Sequence, residues 1–186
     1  MATDKNKARL IEIVKKKSFS NDREITLASG RKSMLYFNMK PTMMDPEGSA
    51  IIADMILDRL GSMKVDYVGG LEMGAVPIVS MVSPASFRRG HPVHAFFVRK
   101  AAKAHGTQSL IEGLAPGESL KGKRVVVVED VTTTGGSALK AAAAAREAGA
   151  TVDTIITLVD RQEGAKEELQ EQGFVLVSLL QATDFV

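Results

Sequence analysis

Apolar residues recur at helical spacing in Lys5–Lys17, at Ala8, Leu10, Ile11, Ile13 and Val14, with a basic face outside them. Two short apolar runs follow, Ile25–Leu27 and Met34–Phe37, separated by Ser29 and Gly30. They predict two short strands around a turn. Asp45 and Pro46 have the pattern of a helix cap and first turn. Met55, Ile56 and Leu60 continue an amphipathic helix that Gly61 ends.

From there the pattern becomes regular. Strands are predicted at Val65–Val68, Val93–Val98, Val125–Val128, Val152–Val159 and Phe174–Leu180. Between them lie predicted helices at Val76–Phe87, Ser137–Ala148 and Gly164–Glu171, the first holding Pro84, a potential breaker. Strands alternating with helices make an α/β fold, a parallel sheet flanked by helices. The valine run 125–128 shows no polar alternation, as expected of a strand buried on both faces. Residues 1–40 do not follow the alternation and read as a small amino-terminal hood. Residues 101–123 lack periodicity and hold Gly106, Gly113, Pro116, Gly117 and Gly122, a long loop of the kind that is functional or disordered. The 186 residues suffice for a single domain with a sizeable core.

Composition adds mostly exclusions. Hydrophobic residues make up 45% and charged residues 25%, an ordinary globular balance. The net charge of +2 does not point to nucleic acid. With no cysteine, disulfides, thiolate zinc sites and cysteine nucleophiles are excluded, and a reducing cytoplasm is the expected compartment. No apolar run approaches the roughly 20 residues that span a bilayer, and the polar stretch Met1–Lys17 is not a secretory signal.

The chemistry concentrates in VVVVEDVTTTGGS, Val125–Ser137. A buried strand ends in two carboxylates, Glu129 and Asp130. A loop of Thr132, Thr133, Thr134, Gly135 and Gly136 leads into a helix near Ser137. In open parallel sheets ligands bind beyond the carboxyl ends of the strands. A glycine-rich loop opening a helix offers unpaired N–H groups and a positive dipole end to a phosphate. The carboxylates would repel that phosphate, so they face another part of the ligand: sugar hydroxyls or hydrated Mg²⁺. Taken alone, the acidic pair is a strand cap and the threonine-glycine stretch a solvated turn. Together they describe a ribose 5-phosphate site. No P-loop or dinucleotide fingerprint competes.

A second cluster, Arg99, Lys100, Lys103 and His105, opens the long loop. Cations closing over a diphosphate would stabilise the departing charge and exclude water. The plainer alternative is a solvated basic loop.

Val125–Ser137 resembles the ribose-phosphate motif of the type I phosphoribosyltransferases, which use 5-phosphoribosyl 1-diphosphate with Mg²⁺. The resemblance implies that Glu129 and Asp130 bind the ribose hydroxyls, that Thr133–Ser137 wrap the 5-phosphate and that Val131 and Thr132 belong to the same sugar diphosphate site, with Asp130 among the catalytic residues. The segment Arg99–Gly106 is similar to the catalytic loop of the orotate branch. By that likeness residues 99–123 form a flexible loop that reaches into a neighbouring subunit of a homodimer. Arg99, Lys100, Lys103 and His105 then contact the diphosphate, and Lys103 is the leading catalytic candidate. Leu27–Ser33 with Tyr36-Phe37 resembles the branch's base-proximal hood. Arg161, after Leu158-Val159-Asp160, holds the position of its orotate-carboxylate arginine, and Thr133 completes the base site. Gly69–Gly74 resembles its pyrophosphate loop. The expected substrates are therefore orotate and 5-phosphoribosyl 1-diphosphate, with Mg²⁺ and no assigned protein metal ligand. The expected product is orotidine 5′-phosphate, in pyrimidine synthesis. No nucleic-acid or membrane partner is expected. A purine acceptor, or a regulator that binds the sugar diphosphate without catalysis, are the alternatives. The match fails at Ala28 and Met73, where many members carry lysine. Glu129 stands for a common aspartate.

Overall fold

Val127 and Val128 are completely buried, and Val125 and Val126 nearly so, because helices cover both faces of the strand that holds them. The computed structural model describes residues 2–22, 24–26, 32–61, 63–101 and 109–186. In chain order the elements are α1 (Ala2–Lys17), β1 (Phe19–Ser20), β2 (Ile25–Thr26), β3 (Lys32–Ser33), β4 (Tyr36–Phe37), α2 (Lys40–Met43), α3 (Pro46–Leu60), β5 (Tyr67–Gly69) and α4 (Ala75–Arg88). Then follow β6 (His94–Ala95), β7 (Phe97–Val98), β8 (Ile111–Glu112), β9 (Arg124–Thr132), α5 (Gly136–Glu147), β10 (Thr151–Asp160), α6 (Ala165–Glu171) and β11 (Val175–Gln181).

Five strands form a parallel sheet in the order β11-β10-β9-β5-β6. The chain moves one way from β5 to β6 and the other way from β9 to β11. The strand order therefore reverses between β5 and β9, which opens a crevice beyond their carboxyl ends. One core lies between the sheet and α3 and α4, and includes Ile52, Ile56, Ile78, Val82, Val128 and Leu158. The second lies between the sheet and α5, where Ala138, Ala141, Ala142 and Ala145 are fully buried. The small alanine side chains let that helix sit close to β9 and β10.

Local chemistry sets the helix ends. Asp45 accepts a hydrogen bond from the Gly48 N–H at 2.9 Å, and Pro46 occupies the first turn of α3. Helix α4 runs through Pro84 to Arg88, close to the predicted Val76–Phe87. Its buried stripe of Ala75, Ile78, Val79, Val82, Ala85 and Ser86 outweighs the one backbone hydrogen bond that proline removes.

The hood is smaller as a separate layer than expected. Leu10 and Val14 of α1 and Phe37 of β4 join the same core as α3, α4 and β11. Phe37 packs against Phe19 and Phe185, with ring centroids 5.1 and 5.0 Å apart. The long loop is shorter than its sequence implies. Strands β7 and β8 form an antiparallel pair, and Arg99 N–H donates to the Leu110 carbonyl at 2.8 Å. No helix among the described residues is long and apolar enough to cross a membrane.

Candidate active site

The valine strand does not stop at the acidic pair. Backbone pairing with β10, Val131 to Val159 and Thr132 to Asp160, carries β9 through Thr132. Glu129, Asp130, Val131 and Thr132 therefore project from a rigid strand, and the connection to α5 shrinks to Thr133, Thr134 and Gly135. This corrects the expected boundary, which placed Thr132 in the loop. Gly135 takes a left-handed conformation, φ +84°, as the residue before α5. A Cβ there would be strained and would also press on Leu169. Gly136 faces open space, so a ligand can approach the backbone at that point.

Glu129, Val131–Ser137 and Lys140 line a cleft of about 290 Å³ at this corner. Thr132 is only 2% exposed, and among the described residues its Oγ1 has no hydrogen-bond partner. A buried hydroxyl in that condition is a donor held ready for a ligand. Ser137 and Lys140 also border a neighbouring groove of about 470 Å³ with Leu71, Arg99 and Lys100. The structure thus brings the sequence-predicted residues Glu129–Ser137 together. It sets Arg99 and Lys100 beside them.

Across the crevice stands the β5–α4 connection, residues 70–74. A Cβ built on Gly74 would lie 2.7 Å from Asp130 Oδ1 and 2.9 Å from Glu129 Oε1. Both carboxylates therefore reach the same point of the loop. Asp130 Oδ1 also accepts from the Val131 N–H at 2.9 Å. Burial, and then the adjoining Asp130 charge, push the Glu129 carboxyl up to about 9, and the Lys100 charge opposes this. Glu72 fixes the loop to the base of the basic segment: its Oε1 accepts from the Lys100 N–H at 2.8 Å. In the sequence Gly69–Gly74 resembles a pyrophosphate loop, but neither Gly74's closeness to the pair nor the Glu72 anchor is visible there.

The remaining candidates are placed less evenly. Arg99 lies 3.7 Å from Glu112 across the β7–β8 pair. Lys103 and His105 lie outside the described residues, as do Ala28, Ser29 and Gly30. Arg161 follows β10, and its N–H donates to the Thr132 carbonyl at 3.0 Å, so it joins the same sheet edge. Its side chain is buried and paired with Glu163 at 2.8 Å. Of the two aromatics, Tyr36 is 39% exposed, whereas Phe37 is buried in its aromatic cluster. A stacking surface for a planar base narrows to Tyr36, because neighbouring strand residues face opposite ways.

Mg²⁺ fits this set as an ion carried in part by substrate. Among the described residues no three acidic or histidine side chains form a metal group. Glu129 and Asp130 still present oxygens beside Gly74. Mg²⁺ is commonly held by one or two carboxylates while phosphate oxygens and water complete its shell.

Comparison with known proteins gives a consistent picture. The family model described as phosphoribosyl transferase domain matches residues 45–178. An orotate phosphoribosyltransferase of Rhodopseudomonas palustris (strain BisB5) is 53% identical over 186 residues, covering 100% of this chain and 99% of the relative. Among solved structures, Mycobacterium tuberculosis orotate phosphoribosyltransferase with Fe(III) dicitrate superposes with a TM-score of 0.82 at 37% identity. It covers 97% of this chain and 98% of its own. The same protein with 5-phospho-alpha-D-ribosyl 1-diphosphate gives 0.78 at 33% identity, with the same coverage.

Proposed function

With this chain a member of the orotate phosphoribosyltransferase family, we propose that it transfers ribose 5-phosphate from 5-phosphoribosyl 1-diphosphate to orotate. The C1–oxygen bond to diphosphate breaks, and diphosphate leaves with the electron pair. Orotate N1 then bonds to C1 and gives up its N1 proton to the departing diphosphate, yielding orotidine 5′-phosphate for pyrimidine nucleotide synthesis. The observation that carries this reading is the convergence of two halves of one sugar phosphate site at the end of β9. The Glu129–Asp130 pair faces the β5–α4 loop, and the Thr133–Ser137 turn lies beside it.

Each half has its task. Asp130 and Glu129 accept hydrogen bonds from the ribose hydroxyls and hold the ring as positive charge develops at C1. The turn binds the 5-phosphate through backbone N–H groups and threonine hydroxyls. Arg99, Lys100, Lys103 and His105 meet the diphosphate, stabilise its departing charge and exclude water from the sugar cation. Bound Mg²⁺ would neutralise charge on the diphosphate, held near Glu129 and Asp130. Arg161 pairs with the orotate carboxylate, Tyr36 offers a face to the ring, and Thr133 lies at the junction of the two substrates. Orotate carries its charge on the carboxylate, and the diphosphate oxygens released beside it take up the N1 proton, so no strong protein base is needed. We place the reaction in the cytoplasm, in a homodimer whose basic loops serve the neighbouring subunit's site.

An acceptor panel tests the reading. Purified protein with 5-phosphoribosyl 1-diphosphate and Mg²⁺ should turn over orotate, and not adenine, hypoxanthine or xanthine. Turnover of a purine without orotate would reject it.

A further inference from the structure

A lysine near the start of a helix is opposed by the positive end of the helix dipole. Lys140 stands there nonetheless, one turn in from Gly136, and it is exposed. Among the described residues it forms no ion pair. Among the described residues this cation therefore has no stabilising partner. Its place in the fold points to one. Lys140 lines the cleft formed by Val131–Ser137 and also the groove that holds Arg99 and Lys100, so it stands at the wall between them. Side chains on a helix lean toward its amino end, which carries the lysine stem back along Ser137 toward the turn. Thr132, whose buried Oγ1 has no hydrogen-bond partner among the described residues, lines the same cleft. Gly136 leaves the backbone open.

We propose that Lys140 is a phosphate-binding residue for the 5-phosphate of both the sugar diphosphate and the nucleotide product. The inference rests on the proposed function and names a residue that the strand-turn-helix motif does not include. The turn supplies neutral donors: N–H groups and hydroxyls. A phosphate monoester near neutral pH carries close to two charges, and the Glu129–Asp130 pair lies at the same strand end. Lys140 supplies the full positive charge that the turn lacks. The 5-phosphate is unchanged through the reaction, so this contact is equally strong before and at the transition state. Such a contact lowers KM without raising kcat. This separates Lys140 from Lys100 and Lys103, which meet the group that departs.

The test is ribose 5-phosphate binding to the full chain by calorimetry, with inorganic diphosphate as the comparison ligand. Lys140→Gln should weaken ribose 5-phosphate about tenfold, which is about 1.4 kcal/mol. Lys140→Arg should recover most of that loss, and diphosphate affinity should hardly change. In turnover the loss should fall on KM for 5-phosphoribosyl 1-diphosphate and not on kcat. Unaltered ribose 5-phosphate affinity in Lys140→Gln would overturn the proposal. So would equal weakening of diphosphate, because the lysine would then act only through the general field. Wild-type protein that binds ribose 5-phosphate through Lys140 but ignores orotate would sink the acceptor assignment and leave this inference standing.

Discussion

Gly74 stands so close to Asp130 that a single added methyl carbon would lie 2.7 Å from the carboxylate oxygen. The β5–α4 loop and the end of β9 therefore meet at a point that admits no side chain. Gly74→Ala should displace the acidic pair or the loop. The expected outcome is a loss in kcat/KM of at least about a hundredfold, the scale of a misplaced site, with little change in thermal stability. Steady-state kinetics beside a melting curve checks this. Wild-type kinetics would show that the contact relaxes without consequence.

Glu129 makes stability depend on pH. Its folded-state value of about 9 lies above the ordinary 4.5, so the folded chain holds a proton that the unfolded chain releases. Stability on this account is fully present below about pH 4.5, falls as pH rises toward 9, and is then level. Glu129→Gln keeps the shape of the protonated form and should raise the urea midpoint. The gain should be up to about 3 kcal/mol at pH 7 and should vanish near pH 4. Denaturation series at the two pH values measure it, and an equal gain at both would assign the effect to packing.

Arg161 is assigned to the acceptor alone. Arg161→Ala should raise KM for orotate at least about tenfold, the worth of a lost charge-assisted pair, with KM for the sugar diphosphate nearly constant. Because the guanidinium is buried against Glu163, some destabilisation should accompany the change. Equal effects on both substrates would mean that Arg161 only supports the sheet edge.

If the basic loop serves the neighbouring site, two inactive variants should rescue each other. Mixing Asp130→Asn with Lys103→Ala dimers gives mixed dimers that each hold one intact site. With free exchange up to about a quarter of wild-type activity should return. No recovery after verified exchange would confine each loop to its own subunit.

The strand-turn-helix site was legible in the sequence because its signals are local: a valine run, an acidic pair, then threonine and glycine. Other features depend on partners distant in the chain. Thr132 belongs to β9 because Asp160 pairs with it. Phe37 is turned inward by Phe19 and Phe185. The two-residue strand β8 carries no readable period, so the return of the loop looked unstructured. Helix α4 was legible through Pro84 because its apolar stripe, from Ile78 to Ala85, outweighs the local rule against proline. Lys140 sits on an alanine-rich helix, where one lysine passes for a solvated surface charge.

The most direct measurement is formation of orotidine 5′-phosphate by purified wild-type protein from orotate and 5-phosphoribosyl 1-diphosphate, with and without Mg²⁺ and beside Asp130→Asn. One nucleotide and one diphosphate should form for each orotate consumed, at a rate that depends on Mg²⁺, with at least about a hundredfold loss in Asp130→Asn. No nucleotide from orotate under these conditions, or an Asp130→Asn variant as active as wild type, would contradict the proposed function.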